Sequence, residues 1–129
     1  MKIFTSYFAN GKRLKAAKLV QFGICLYPPT WFKGMNITSV APTHSILYDK
    51  YRTDERYTQR YEMEVLSKLD ARKFVEELQA MSGGRDVVLC CYEKPKDFCH
   101  RHILARWITE NTGIAVKEFG DSSVEQSLF

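Results

Sequence analysis

Two periods of apolar positions run along the chain. Residues 2–7 (KIFTSY) are β-branched and aromatic with no breaker, and they predict a strand. Asn10-Gly11 is a turn signal, and residues 13–18 (RLKAAK) are helix formers over a short span. Residues 19–26 (LVQFGICL) predict a second strand. It stops at Tyr27-Pro28-Pro29, since consecutive prolines neither donate to a ladder nor continue a helix. Residues 30–42 hold Gly34 and Pro42 and read as irregular, with a short strand at 37–40.

A helical period then takes over. Tyr57, Tyr61 and Val65 fall at i, i+4, i+8 behind Asp54 as N-cap. Phe74, Val75, Leu78 and Met81 follow behind Asp70, and Gly83-Gly84 ends that helix. Residues 86–92 (DVVLCCY) are apolar on both faces, as a central parallel strand should be. Asp97 is the expected cap of a helix over 98–111, broken by Gly113, and residues 114–119 form the last strand. Strands alternating with helices predict an α/β fold: one domain over 1–129, with a mostly parallel sheet, helices on both faces in three layers, and a loose polar tail at 121–129.

In such sheets ligands bind beyond the carboxyl ends of the strands, where loops enter helix N-termini. That directs attention to residues 89–102 (LCCYEKPKDFCHRH), which hold three of the four cysteines and two of the three histidines. Each residue there has two readings. Glu93 is a surface loop acid, or a carboxylate against apolar walls suited to acid–base or nucleophilic work. Cys99 is a small buried hydrophobe, or a thiol beside a helix N-terminus that ionises readily. His100 ties helix to strand, or serves as a catalytic imidazole. Arg101 holds an anion, or pairs with Glu93. Ser6, Tyr7, Trp31 and Ser39 are expected to add walls and hydrogen bonds from neighbouring loops.

Spacing excludes several chemistries. A phosphatase-type Cys with Arg six positions later is missing, as are a C-x-x-C pair and a glycine-rich phosphate loop after the first strand. Zinc would need Cys91, Cys99, His100 and His102 to converge. On a helix with 100° per residue, neighbours diverge and His102 turns outward, so no metal and no cofactor is expected.

The segment Val87–Lys94 followed by Phe98-Cys99-His100-Arg101-His102-Ile103-Leu104-Ala105 resembles the domain-of-unknown-function 488 family. The family's mark is a strand ending in Leu-Cys-x-Glu, a short loop, and Cys-His-Arg opening a helix. The resemblance extends more weakly to Thr5-Ser6-Tyr7, Ser39-Val40-Ala41-Pro42 and Tyr61, and so covers most of the chain. It implies an α/β fold, with Glu93, Cys99, His100 and Arg101 as the characteristic residues. Cys91, directly before Tyr92-Glu93, is a departure. The resemblance points to a site and names no reaction.

Composition narrows the picture. The chain is 45% hydrophobic and 26% charged, which excludes disordered and low-complexity classes. No apolar run approaches the roughly 18 residues of a membrane span, and the N-terminus lacks the features of a signal peptide. A cytoplasmic setting with reduced cysteines is the expectation. Residues 1–48 hold six Lys and Arg and no acid, so the net +4 divides into +6 there and −2 in the rest. The leading reading is an enzyme or sensor acting on a nucleotide-like or phosphate-bearing small ligand, with hydrolysis or group transfer as the reaction class. One alternative is a nucleic-acid-binding module using Lys12, Arg13, Lys15 and Lys18. Another is a non-catalytic interaction domain. Oligomeric state is not readable from the sequence.

Overall fold

The computed structural model describes residues 1–93 and 97–120. The expected loose tail at 121–129 and the expected short loop at 94–96 lie outside them. The sheet strands are β1 (Ile3–Tyr7), β2 (Val20–Gly23), β3 (Met35–Asn36), β4 (Val87–Cys91) and β5 (Val116–Glu118). The helices are α1 (Gly11–Ala16), α2 (His44–Leu47), α3 (Asp54–Glu64), α4 (Ala71–Ser82) and α5 (His100–Thr112).

The strand order is β3-β2-β4-β1-β5, and every pairing is parallel. The chain therefore has the α/β fold its alternating periods predict. All carboxyl ends lie along one edge of the sheet. The chain crosses from β1 to β2 in one direction and from β3 to β4 and β4 to β5 in the other. With right-handed crossovers, α1 covers one face and α2–α5 the other. α4 and α3 pack on α5, which in turn lies on β1 and β4.

β4 is central and every one of its residues is buried. A parallel strand covered on both faces can be apolar throughout, which explains the run Val87-Val88-Leu89-Cys90-Cys91. Successive side chains point to opposite faces, so Cys90 and Cys91 face away from each other.

Four local expectations shift. Thr53, not Asp54, caps α3, its hydroxyl accepting from the Arg56 amide at 3.0 Å; Asp54 becomes the first helical residue, where the helix dipole favours its charge. In α4, Ser82 takes the buried position in the last turn and Met81 is exposed. The strand expected at 37–40 lies instead at Met35–Asn36, and Thr38–Val40 is a 3-10 turn. The Asn36 carboxamide binds both the N–H and the C=O of Cys25, which ends the ladder there. Finally, α5 begins at His100 rather than 98. Phe98 packs edge-on against Tyr57, and Cys99 stays extended at φ −152°, ψ 145°.

Candidate functional site

After Gly23 the chain leaves β2 in one direction, and after Cys91 it leaves β4 in the other. A crevice opens at that divergence, the place where parallel α/β sheets receive ligands. It holds a cavity of about 260 Å³. Cys25, Leu26 and Tyr27 line it from the exit of β2, and Tyr92, Glu93, Phe98, Cys99 and His100 from the exit of β4 and the start of α5. Pro42, Leu47, Tyr48, Arg52 and Tyr57 close it from the segment leading into α3.

His100 is buried, with Nε2 2.6 Å from the carbonyl of Ile24. A carbonyl only accepts, so Nε2 carries the proton and Nδ1 keeps its lone pair. Nδ1 faces Cys99 Sγ at 3.7 Å. Burial is the main force on the imidazole and lowers its pKa to about 4, against the Ile24 hydrogen bond, which raises it. It is neutral at pH 7. The Tyr61 ring meets the imidazole edge-on at 5.5 Å, and the Tyr61 hydroxyl donates to the Val40 carbonyl at 2.6 Å.

The sulfurs of Cys91 and Cys99 are joined in a disulfide that bridges the end of β4 and the start of α5. This corrects the expectation that all four thiols are reduced. The extended Cys99 turns its side chain back over the end of β4, whereas a helical residue there would not. Cys25 and Cys90 are free and buried, and desolvation pushes both thiols up to about 12. The same extended conformation overturns the angular argument against convergence. The ligand atoms of Cys91, Cys99 and His100 lie within 4.8 Å of one another. His102 stays apart, in a surface groove with Thr5 and Glu118.

Arg101 is fully buried and stands behind the cavity rather than in it. Its Nε and Nη2 each donate to the Glu118 carboxylate at 3.0 Å. Its Nη1 donates to the Glu93 carbonyl at 2.6 Å and to Cys91 Sγ at 2.8 Å. Thr5 Oγ1 donates to the same carboxylate at 2.7 Å. The expected pairing of Arg101 with the Glu93 side chain is replaced by a bidentate pair with Glu118 and a bond to the Glu93 main chain. Residue 118 offers no local signal for this. Its place beside Arg101 follows from β5 pairing with β1 in register Thr5↔Glu118.

Glu93, Cys99 and His100 thus come together, and the other expected residues do not join them. Ser6 is buried, its hydroxyl accepting from Asn10 Nδ2 at 3.2 Å. Tyr7 ends β1 opposite Cys91. Trp31 leans on Phe8 beside a groove along β2 and β3, and Ser39 borders a separate groove with Asp70 and Lys73. The residues missed are Tyr57, Arg52 and Cys25. Tyr57 was legible only as one apolar position of a helix, yet it lines the cavity, with the Arg52 guanidinium 4.9 Å above its ring centre. Burial raises the Tyr57 hydroxyl above its ordinary range, so it stays protonated.

The fold and crevice define a parallel α/β protein with a Cys/His/Glu cluster at its topological switch point. Within that class, residues 15–112 match the family described as the active DUF488-N3 subclade, and the chain belongs to the DUF488 family. No curated protein and no solved structure matches it. Among the described residues no helix is long and apolar enough to cross a membrane.

Proposed function

We propose that the cavity binds a small nucleotide-like ligand and that Glu93 acts on it as acid, base or nucleophile. The observation that carries this reading is the composition of the cavity wall. Four tyrosines, Tyr27, Tyr48, Tyr57 and Tyr92, surround a carboxylate and a guanidinium in one crevice. Aromatic faces suit a planar base, Arg52 suits a phosphate, and Glu93 suits a sugar hydroxyl or a reacting carbon. At about 260 Å³ the cavity falls just below the usual range of ligand sites, about 300–1,000 Å³. It therefore favours a nucleoside or mononucleotide over a dinucleotide. The match to an active subclade accords with catalysis. A cytoplasmic setting accords with such a ligand.

A thermal-shift screen of nucleosides, nucleotides and inorganic phosphate tests the reading. A ligand at 100 times its dissociation constant stabilises the fold by about 2.7 kcal/mol. Arg52→Ala should weaken a phosphorylated ligand and spare its nucleoside, and Glu93→Gln should abolish turnover while leaving affinity within about tenfold. Silence of every nucleoside and nucleotide would sink the proposal. Binding to RNA or DNA with a steep salt dependence would move the function to Lys12, Arg13, Lys15 and Lys18, which lie outside the cavity wall. A stability loss in Glu93→Gln without any ligand effect would leave the residue a purely structural role.

A further inference from the structure

We infer that Cys91 Sγ, Cys99 Sγ and His100 Nδ1, once the disulfide is reduced, form a zinc site whose fourth position opens into the cavity. Three arguments carry it. The first is geometry. The three ligand atoms already lie within 4.8 Å of one another, with Cys99 Sγ 3.7 Å from His100 Nδ1. Tetrahedral zinc with a sulfur at about 2.3 Å and a nitrogen at about 2.0–2.1 Å separates those two ligands by about 3.6 Å. Reduction breaks the sulfur–sulfur bond, and the two thiolates then part to take the ion between them.

The second argument is the outer shell. Histidines that bind metals almost always donate their other ring N–H to a carbonyl or carboxylate, which fixes the tautomer. His100 Nε2 does this to the Ile24 carbonyl, and leaves Nδ1 bare on the sulfur side. Arg101 Nη1 donates to Cys91 Sγ at 2.8 Å, the kind of bond a thiolate accepts. Charge also balances. Two thiolates and neutral imidazole cancel a dication, and Glu118 already answers Arg101.

The third argument is the missing fourth ligand. Cys99 and His100 line the cavity and Cys91 does not, so the open side of the cluster is the cavity side. Three protein ligands and one open position are the pattern of catalytic rather than structural zinc. The position would take water or a donor atom of the bound molecule, beside Glu93. Only this last point rests on reading the cavity as a ligand site. Loading proceeds in two balanced steps. A cellular dithiol gives two electrons and two protons to the disulfide and becomes oxidised; zinc then displaces the two thiol protons.

The test is titration of the reduced full chain with zinc or cobalt under anaerobic conditions, with no nucleotide present, so it stands or falls apart from the ligand screen. The expected result is one ion per chain, with thiolate-to-cobalt charge-transfer absorption and the strong visible bands of tetrahedral cobalt. Cys99→Ser and His100→Ala should each weaken zinc binding more than about tenfold. Should a variant fail to fold, alkylation of the wild type decides: zinc should protect Cys91 and Cys99 together. Absence of stoichiometric binding by the reduced protein, binding unchanged in folded Cys99→Ser, or a disulfide that resists reduction and excludes metal would each overturn the inference.

Discussion

Arg101 joins three groups with one guanidinium. Its partners are the Glu118 carboxylate, the Glu93 carbonyl and Cys91 Sγ, and Thr5 shares the carboxylate. Cutting the side chain away leaves Glu118 without its counter-charge and frees the backbone at Glu93. Arg101→Ala should therefore lower stability by about 3–5 kcal/mol, the cost of breaking a buried pair from one side, measured by urea denaturation. A loss below about 1 kcal/mol would show that the pair is not formed as described. His100 sets the response to acid. Its folded pKa of about 4 lies below the ordinary value of 6.5, so between those values the unfolded chain binds more protons than the folded one. Its stabilising contribution is complete above pH 6.5 and drains away as pH falls toward 4. The unfolding free energy of chelator-treated protein, read from denaturant titrations, should drop across that window by up to about 1.4 kcal/mol per pH unit. A His100→Gln variant that keeps a donor for the Ile24 carbonyl should flatten the drop; an equal drop in that variant would assign it to other groups.

At the scale of elements, helix starts set the site. α5 begins two residues later than Asp97 would have it, because Phe98 is drawn onto Tyr57 and Cys99 stays extended. Those two residues turn Cys99 over the end of β4 and deliver His100 to the first helical turn. α3 carries the opposite wall, and its start depends on Thr53 accepting the Arg56 amide. Thr53→Ala should cost about 1 kcal/mol in thermal or chemical unfolding. Asp54→Ala removes only a favourable charge in the first turn and should cost less than Thr53→Ala. The reverse order would return the cap to Asp54. In α4 and α5 the ends are marked by Gly83 and Gly113 at φ 66° and 77°, a conformation in which a side chain is strained.

For the molecule as a whole, the sheet order decides which regions are rigid. β4 sits between β2 and β1 and is covered on both faces, while β3 is a two-residue edge. The amides of β4 should exchange hydrogen only through global unfolding, and those of β3 through local opening at far lower free energy. Exchange of β4 as fast as β3 would contradict its central place. The crevice lies where this rigid centre ends and the loops begin. Glu93 and His100 are therefore anchored through Arg101 and Ile24, while the walls that carry Arg52 and Tyr48 come from the segment before α3.

The apolar run at β4, the glycine stops and the placing of Cys-His-Arg at a strand-to-helix turn were readable along the chain. They are local properties: period, breaker residues and dihedral preference act between near neighbours. The convergence of Glu93, Cys99 and His100 followed from the same logic, because one short connection holds all three. Ser6, Tyr7, Trp31 and Ser39 were placed by loop order, and the register and crossovers left all four outside the cavity wall, Ser6 buried. The Arg101–Glu118 pair, the Cys91–Cys99 closure and the Tyr57–Arg52 wall were not readable. They depend on which strand β5 pairs with, on Cys99 staying extended where a helix was expected, and on how the start of α3 packs over the crevice. Burial and long-range packing settle such choices, and no period in the sequence records them.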